Sequence, residues 1–294
     1  MNREEFLADK KVIVTGGSSG IGKTIAINFA QMGADIGLMA RSEDKLKDVV
    51  SQIKSKGQDA YYSKTDITNY AEVTSGLQDL TDNLGGFDVL VNNAGAMRRT
   101  NFKNFRQDQI DLIVDTNIKG AMYAALESIK IMLEAGGGSI INTGSVSAVT
   151  PVGGMAVYGA SKSALSYFSQ TLGIELESDG IRVNTLLCGF IDTPMFRYGL
   201  TDKMAKALDP MLPEDLVPYY AFFASDISKR VNSTLVNVDD MRKMILPVVS
   251  ELEHEKRESW RDLKRLFKKK LPPKLYKHAK SNKQIIKFMA KRES

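Results

Sequence analysis

The chain has little cysteine and no long apolar run, and each shortage excludes a class of protein. Cys188 is the single cysteine in 294 residues, which excludes an internal disulfide and indicates a reducing compartment. A membrane-spanning helix needs about 18 apolar residues or more, and the longest candidate, residues 216–224, is far shorter and contains Pro218. The charged N-terminus is not followed by the apolar segment of a signal peptide. We therefore expect a cytoplasmic protein.

The charge of the chain divides it into two unequal parts. The net charge is +5, but residues 241–294 hold 17 Lys and Arg against 6 Asp and Glu, which is a net charge of +11. Residues 1–240 therefore carry −6. A mildly acidic body and a strongly basic end need separate explanations. We predict one large domain over residues 1–240 and a basic, mostly helical extension over residues 241–294.

Three interpretations of this extension stay open. Its main helical pattern, residues 251–271, places Trp260, Leu263 and Phe267 among its apolar positions. Such a helix can be a solvated extension that packs on the body or on a partner subunit. Lys and Arg interleaved with Trp, Phe and Leu are also typical of a peripheral helix at an anionic membrane surface. The third interpretation is an acidic partner, such as an acidic carrier protein. Nucleic acid would be bound by charge alone, so no specific nucleic acid is expected.

A glycine-rich turn lies between the first predicted strand, residues 11–15, and the first predicted helix. The helix is indicated by Ile25, Ala26 and Phe29 at helical spacing. Glycines let the backbone approach a pyrophosphate, and the N-terminus of the next helix attracts its negative charge. The order strand, glycine turn, helix therefore predicts a dinucleotide site. The turn and its neighbours read Gly16, Gly17, Ser18, Ser19, Gly20, Ile21 and Gly22.

The end of the second predicted strand, residues 35–40, bears on the choice of dinucleotide. In a dinucleotide-binding fold this point faces the adenosine ribose, where an acidic residue accepts from a 2′-hydroxyl and an arginine pairs with a 2′-phosphate. Arg41 follows the strand directly. We therefore expect NADP(H) in preference to NAD(H), although Arg41 could instead cap a loop.

Strands and helices alternate along residues 1–240. Strands are predicted at residues 11–15, 35–40, 60–63, 87–91, 139–143, 181–187 and 234–238. One long helix is predicted over residues 105–133 with Asn117 near its middle, and a buried Asn there needs a partner, at the simplest a structural hydrogen bond. An irregular segment that is rich in Met is predicted at residues 195–212. The alternation predicts an α/β protein with a doubly wound, parallel seven-stranded sheet of Rossmann type and helices on both faces.

The pair Tyr158 and Lys162 is the main candidate for chemistry. The two residues are four apart in a run with helical spacing, so the phenol and the ammonium share one helix face. A nearby cation is expected to lower the pKa of a phenol, which then exchanges protons near neutral pH. Ser145 follows an apolar run and could steady the same substrate oxygen. The alternative is a solvated helix face without function.

The sequence resembles the short-chain dehydrogenase/reductase family over about residues 8–240, because seven landmarks of that family occur in it in the family's order. The resemblance implies that Tyr158 is the general acid or base, that Lys162 lowers its pKa and binds the nicotinamide ribose, and that Ser145 binds the substrate oxygen. It also implies that Asn117 holds a water linked to Lys162. The landmarks are Thr15 to Gly22, Asp66, Asn92 to Gly95, Asn117, Ser145, Tyr158 with Lys162, and Ile191 with Thr193.

The resemblance also implies a set of cofactor contacts and identifies residues 1–240 as a dinucleotide-binding catalytic domain. No metal ligand is implied. Pyrophosphate contacts are implied for Gly16, Ser18, Ser19, Gly20, Ile21 and Gly22, adenine contacts for Asp66 and Ile67, the adenosine side of the cleft for Asn93, Ala94 and Gly95, and carboxamide contacts for Ile191 and Thr193.

The sequence departs from the family pattern at three places. Cys188 stands where the family usually has proline before Gly189, residues 231–233 replace a usual Thr-Gly step, and Asp240 follows Asp239 where glycine is usual. The last two lie near a region that packs at subunit interfaces in the family. A homo-oligomer is still expected, but the sequence does not choose between dimer and tetramer.

The sequence therefore predicts an NADP(H)-dependent oxidoreductase that interconverts a ketone or aldehyde and the matching alcohol. Residues 195–212 are placed to cover the site, and their Met residues favour a hydrophobic or acyl-type substrate. The alternative from another class is a cofactor-bound sensor or scaffold that its basic extension recruits to a partner.

Overall fold

A computed structural model describes residues 6–240, and within them seven strands form one parallel sheet. The order across the sheet is β3-β2-β1-β4-β5-β6-β7. The predicted α/β class and the doubly wound seven-stranded sheet are therefore confirmed. The strands are β1 Lys11–Thr15, β2 Asp35–Ala40, β3 Ala60–Lys64, β4 Val89–Asn92, β5 Gly138–Ser145, β6 Ile181–Cys188 and β7 Leu235–Asn237.

Helices cover both faces of the sheet, which is why its central strands are continuous apolar runs. Val12, Ile13 and Val14 in β1 are fully buried although they point to alternate faces. Two core clusters result, one on each side. The α-helices of residues 6–240 are α1 Gly20–Ala30, α2 Glu43–Lys54, α3 Tyr70–Leu84, α4 Gln107–Val114, α5 Ala121–Glu134, α6 Ala156–Glu175, α7 Pro194–Arg197, α8 Asp202–Ala207 and α9 Val217–Ala224.

The strand order reverses at β1, which is paired with β2 on one side and with β4 on the other. The connections that leave β1 and β4 at their carboxyl ends therefore run to opposite sides, and a crevice opens between them. The glycine-rich turn after β1 and the residues after β4 both lie at this point. The topology places the predicted cofactor residues at the edge where ligands bind in such sheets.

The predicted helix over residues 105–133 is interrupted. α4 passes into a π-helical stretch, Asp115–Gly120, before α5 begins. A π turn holds one more residue than an α turn, and such turns are frequent at functional sites. The stretch contains Asn117, so the interruption falls on one of the predicted site residues.

The segment predicted to be irregular, residues 195–212, is more ordered than expected. Part of it forms α7 and α8, and Thr193 and Thr201 cap these helices by accepting backbone N–H bonds from Phe196 and Met204. Short helices of this kind lack the long apolar period by which helices are recognised in a sequence. β5 also extends to Ser145, two residues beyond its predicted end, because it pairs with β6 as far as Cys188.

The predictions for residues 241–294 lie outside the described residues. Within residues 6–240, no helix has both the length and the hydropathy that crossing a membrane requires.

Candidate active site

A cleft of about 380 Å³ lies along the carboxyl ends of the strands. It brings together residues predicted from seven separate parts of the sequence. Gly22 and Asn117 are the two predicted residues that do not line it, and they lie directly behind its wall. The predicted residues that line it are Gly16, Ser18, Ser19, Gly20, Ile21, Arg41, Asp66, Ile67, Asn93, Ala94, Gly95, Ser145, Tyr158, Lys162, Ile191 and Thr193.

The glycine turn forms a tight cradle at the middle of the cleft. Gly16 and Gly20 have φ angles of 68° and 53°, in the left-handed region that favours glycine. A Cβ on Gly22 would lie 2.5 Å from the carbonyl oxygen of Gly16, so only glycine fits there. Ser19 precedes α1 without capping it through its side chain, which leaves backbone N–H groups of the first turn without that partner. This cradle fits an anionic pyrophosphate.

One end of the cleft is open to water and positively charged. Arg41, Ser42 and Lys45 line it and are exposed. Asp66, on the opposite wall, accepts hydrogen bonds from the backbone and hydroxyl of Thr68. Lys45 was not singled out from the sequence, although its place in the first turn of α2, four residues after Arg41, was a usable signal. The end fits a phosphorylated ribose.

The other end of the cleft is buried and carries the three candidate catalytic side chains. Tyr158 and Lys162 lie in the first two turns of α6, and their exposed fractions are 9% and 4%. Ser145, at the end of β5, is 7% exposed and is hydrogen-bonded to Tyr158. The Lys162 ammonium donates to the carbonyl oxygen of Thr143 at 2.8 Å. The predicted convergence of phenol, hydroxyl and ammonium is present in the structure.

The titration of these groups differs from the prediction. Burial raises the pKa of Tyr158 to about 12, although the hydrogen bond with Ser145 acts in the opposite direction. Burial lowers the pKa of Lys162 to about 8. The expected lowering of the phenol pKa by Lys162 is therefore wrong for this structure, because burial removes water from the phenol and the ammonium lies 6.0 Å from the centre of the phenol ring. A high pKa keeps Tyr158 protonated, as a proton donor must be.

Asn117 is fully buried and its side chain is already engaged. Its Oδ1 accepts from the backbone N–H of Ala96 at 2.7 Å, and its Nδ2 donates to the Ala96 carbonyl at 2.9 Å. Nδ2 also donates to Ser161 Oγ, which donates to the carbonyl of Tyr158 at 2.7 Å. Asn117 thus fastens the loop after β4 to the helix that carries Tyr158. This is the structural role that the sequence left open as the simpler alternative.

The segment of residues 190–212 is here called the lid segment, and its first part, from Phe190 to Phe196, supplies lining residues of the cleft. Ile191 and Met211 form a β-bridge, and Arg197 pairs with Asp192 at 2.5 Å. Of the Met residues expected to cover the site, Met195 lines the cleft, whereas Met211 belongs to the core. Met204 is exposed and is not among the lining residues.

The lid segment also contacts the loop after β4. The guanidinium of Arg98 lies 5.3 Å from the ring centre of Tyr198. Arg99, the next residue, is exposed and lines the cleft near the start of α6. Sequence reasoning missed Arg99, because nothing in its local sequence distinguishes it from other surface arginines. Within residues 6–240, no group of three His, Cys, Asp or Glu side chains could hold a metal ion.

The chain is similar in sequence to bacterial oxidoreductases. An uncharacterized oxidoreductase of Staphylococcus aureus (strain N315) is 34% identical over 215 residues, which cover 72% of this chain and 91% of that protein. An uncharacterized oxidoreductase of Staphylococcus epidermidis (strain ATCC 12228) is 35% identical over 187 residues, 64% of this chain and 80% of that protein.

The fold of the chain is also similar to solved structures of reductases. Levodione reductase superposes with a TM-score of 0.75 at 26% identity, covering 78% of this chain and 96% of that one. The 3-ketoacyl-(acyl-carrier-protein) reductase of Brucella melitensis, in complex with NADH, has a TM-score of 0.74 at 27% identity, covering 79% and 97%. The family model for short chain dehydrogenases matches residues 10–203. The chain belongs to the short-chain dehydrogenase family and is an oxidoreductase.

Proposed function

We propose that this short-chain dehydrogenase interconverts a ketone or aldehyde and the matching alcohol with NADP(H) as its cofactor. One observation carries the proposal. Tyr158, Ser145 and Lys162 converge at the buried end of a cleft whose middle is a glycine cradle that fits a pyrophosphate. The nicotinamide, when bound, would supply or accept the hydride, and the protein would supply position and proton transfer.

The proposed roles follow from the positions of the side chains. Tyr158 donates its proton to the carbonyl oxygen in reduction and takes the proton back in alcohol oxidation. Ser145, hydrogen-bonded to Tyr158, orients the same oxygen. Lys162 presents its ammonium between the Thr143 carbonyl and the cleft, where it can bind a ribose. Asn117 holds the surrounding loop, and we propose that a water near it connects Lys162 to solvent.

The proposed cofactor contacts use the rest of the cleft wall. The backbone of the glycine turn would bind the pyrophosphate, with Gly22 keeping the turn close to α1. We assign the adenine to Asp66 and Ile67 and the nicotinamide carboxamide to Ile191 and Thr193. The wall between them is formed by Asn93, Ala94 and Gly95. A Cβ on Gly95 would lie 3.4 Å from Asn117 Oδ1 and 3.7 Å from Lys162 Nζ, so this wall has little spare room.

The preference for NADP(H) rests on the charge of the open end. Arg41 follows β2 directly, and Lys45 and Ser42 line the same end. No ion pair engages Arg41 or Lys45 within residues 6–240, so both cations are available to a 2′-phosphate. The position directly after β2, where a carboxylate would accept from a free 2′-hydroxyl, is occupied by Arg41. These features favour the phosphorylated cofactor.

A hydrophobic or acyl-type substrate is favoured by the lining of the buried end. Met97, Met155 and Tyr158 form one apolar cluster, and Phe190 and Met195 face the cleft from the lid segment. One similar structure is named as a reductase of 3-ketoacyl groups on acyl carrier protein, and another as a reductase of levodione. A carbonyl on an apolar body is the chemistry that both names share.

We also propose a homo-oligomer, either dimer or tetramer. Apolar side chains on α5 and α6 are exposed, among them Leu126, Leu133, Tyr167 and Ile174. An apolar patch of this kind is a common place for subunits to meet.

The proposals for residues 241–294, namely packing, an anionic membrane surface or an acidic partner, rest on sequence alone. Co-pelleting of the protein with anionic and with neutral vesicles, before and after deletion of residues 241–294, tests the membrane proposal. Binding to anionic vesicles that is lost on deletion would favour a membrane surface over the other two.

The test of the proposed function is a carbonyl panel with NADPH or NADH, followed by absorbance at the nicotinamide band. Oxidation of NADPH by apolar ketones or aldehydes is expected, with lower rates for NADH. No turnover of any carbonyl or alcohol with either cofactor would count against the enzyme. A cellular role that survives in Tyr158→Phe would favour the sensor or scaffold instead.

A further inference from the structure

One buried polar group near the site has no part in the proposed chemistry. Tyr220 lies in α9, a helix whose other residues are mostly apolar and buried, and it is itself 0% exposed. Its hydroxyl lies 2.7 Å from Thr143 Oγ1 in β5. A buried phenol usually finds a partner, because an unpaired hydroxyl in the core is costly. Cys188 is one partner of this phenol, and the other is Thr143, the residue whose main-chain carbonyl accepts from Lys162.

The direction of these hydrogen bonds follows from counting hydrogens. Thr143 Oγ1 donates to Asn93 Oδ1 at 3.3 Å, and an amide oxygen can only accept. The hydroxyl of Thr143 has one hydrogen, so it must accept from Tyr220. Burial raises the pKa of Tyr220 well above its usual value, so the phenol keeps the hydrogen that it donates. The order of donation is therefore Tyr220 to Thr143 to Asn93.

This chain of hydrogen bonds continues into the glycine cradle. Asn93 Nδ2 donates to the carbonyl of Thr15 at 3.1 Å and to that of Gly16 at 3.5 Å. The same Nδ2 is one of the atoms that a Cβ on Gly22 would contact. One branch from Thr143 thus fixes the amide of Asn93 against the cradle. The other branch is its main-chain carbonyl, which accepts from Lys162 at 2.8 Å.

We propose that Tyr220 is a positioning residue that orders Thr143, and through Thr143 both the Lys162 ammonium and the glycine cradle. The proposal rests on the proposed function, because it assigns Lys162 and the cradle to the cofactor. Tyr220 does not line the cleft and touches no reacting atom. It contacts Thr143 of β5 from α9, whereas Lys162 contacts the same residue from α6. Tyr220 thus joins α9 to both the Lys162 ammonium and the glycine cradle.

The alternative is that Tyr220 only fills the core, and Tyr220→Phe distinguishes the two because it keeps the ring and removes one oxygen. Thr143→Val removes the Thr143 hydroxyl and keeps the main-chain carbonyl. We expect each variant to raise the dissociation constant for NADPH and to lower kcat by about threefold to tenfold, the usual worth of one neutral hydrogen bond. The double variant should lose no more than the larger single loss, because both changes break the same chain.

The matched control is Tyr61→Phe, which removes a phenol oxygen from β3, where the ring contacts Lys54 instead of the site. It should change neither NADPH affinity nor kcat. A core role predicts something different: a lower melting temperature for Tyr220→Phe with NADPH affinity and kcat at wild-type values. That result, or losses that add in the double variant, would overturn the proposal.

Two readouts separate this inference from the proposed function. NADPH affinity is titrated without any carbonyl, so an enzyme that binds the cofactor but turns over nothing still reports on Tyr220. The second readout is a crystal structure of Tyr220→Phe without cofactor. In it the distance from Lys162 Nζ to the Thr143 carbonyl oxygen should exceed the 2.8 Å of the wild-type chain. An unchanged distance would contradict the proposal whatever the substrate is.

Discussion

The two ends of the cleft are built differently. At the end with the candidate catalytic residues, Tyr158, Lys162 and Ser145 are each less than a tenth exposed. At the open end, Arg41 and Lys45 are exposed to water. Burial moves pKa values and strengthens electrostatic interactions, whereas exposed charges are screened by salt and each contributes little. The comparison teaches that the proposed proton transfer is assigned to the end from which water is excluded, whereas the proposed discrimination between NADP(H) and NAD(H) is assigned to the end that is open to water.

The largest expected effect lies at the buried end. Tyr158→Phe should lower kcat by about 10²-fold to 10⁴-fold, the range that a positioned general acid or base contributes. NADPH affinity should stay within about twofold of wild type, because the phenol oxygen is assigned to the substrate and not to the cofactor. Steady-state kinetics and a fluorescence titration with NADPH measure the two quantities. An equal loss in both would assign Tyr158 to cofactor binding and break the comparison.

The second prediction concerns stability and pH. Lys162 has a folded pKa of about 8 against an ordinary value of 10.5. Between these values the unfolded chain binds a proton at Lys162 that the folded chain does not, so the contribution of Lys162 to the free energy of unfolding should rise with pH from about 8 to 10. Lys162→Met should remove this rise, at most about 3 kcal/mol over the full shift.

Urea unfolding at several pH values up to 10 measures this difference between wild type and variant. Cys188 and Tyr158, whose pKa values burial raises to about 12, act in the opposite direction above about pH 9 and pH 10, so the difference between wild type and Lys162→Met at each pH is the quantity that reports on Lys162. The control at the exposed end is Lys45→Met, whose ammonium stands in water in the folded chain, and it should keep the wild-type slope. If Lys162→Met and wild type had the same slope of unfolding free energy against pH, the Lys162 ammonium of the wild-type protein would have to be hydrated, which would contradict the prediction.

The third prediction tests the cradle between the two ends. Gly22→Ala should lower stability by about 1–3 kcal/mol, because its Cβ would lie 2.5 Å from the Gly16 carbonyl and 2.6 Å from Asn93 Nδ2. NADPH affinity should fall with it, since relief of the clash moves the turn. Gly153→Ala is the matched control, because a Cβ there has nothing within 4 Å. Thermal unfolding and NADPH titration of both variants show whether tight packing at the cradle is the cause.

The smallest expected effect lies at the exposed end. Arg41→Asp should weaken NADPH binding by about tenfold, near the lower limit for a hydrogen bond to a charged group, because the site is open to water. NADH binding should change much less. The charge-matched control is Lys56→Asp, an exposed residue after α2 that does not line the cleft.

Salt sharpens this last test. The dissociation constant of wild type for NADPH should rise with NaCl, and Arg41→Asp should lose most of that rise. Equal losses for NADPH and NADH in Arg41→Asp would refute the NADP(H) preference. A salt dependence that the substitution leaves intact would assign the 2′-phosphate to another cation, with Lys45 as the next candidate.

Local patterns were sufficient for much of the site. The glycine turn and the four-residue spacing of Tyr158 and Lys162 each depend on a few neighbouring residues, so they can be read before the fold is known. The order in which strands and helices alternate then predicts which strand ends meet. Features that depend on distant partners were not predicted. The π-helical stretch at Asn117 is matched to the loop after β4, and Tyr220 is recognised only when α9 lies beneath β5.

The sequence by itself determined the fold class, the cradle and the identity of the side chains at the buried end, because strand and helix periodicity and turn chemistry are properties of short segments. Only the tertiary structure decided how those side chains titrate. The pKa of Tyr158 rises and that of Lys162 falls because atoms from several elements of the fold exclude water from them. Hydration is set by everything that surrounds a group, and no segment of the chain carries that information alone.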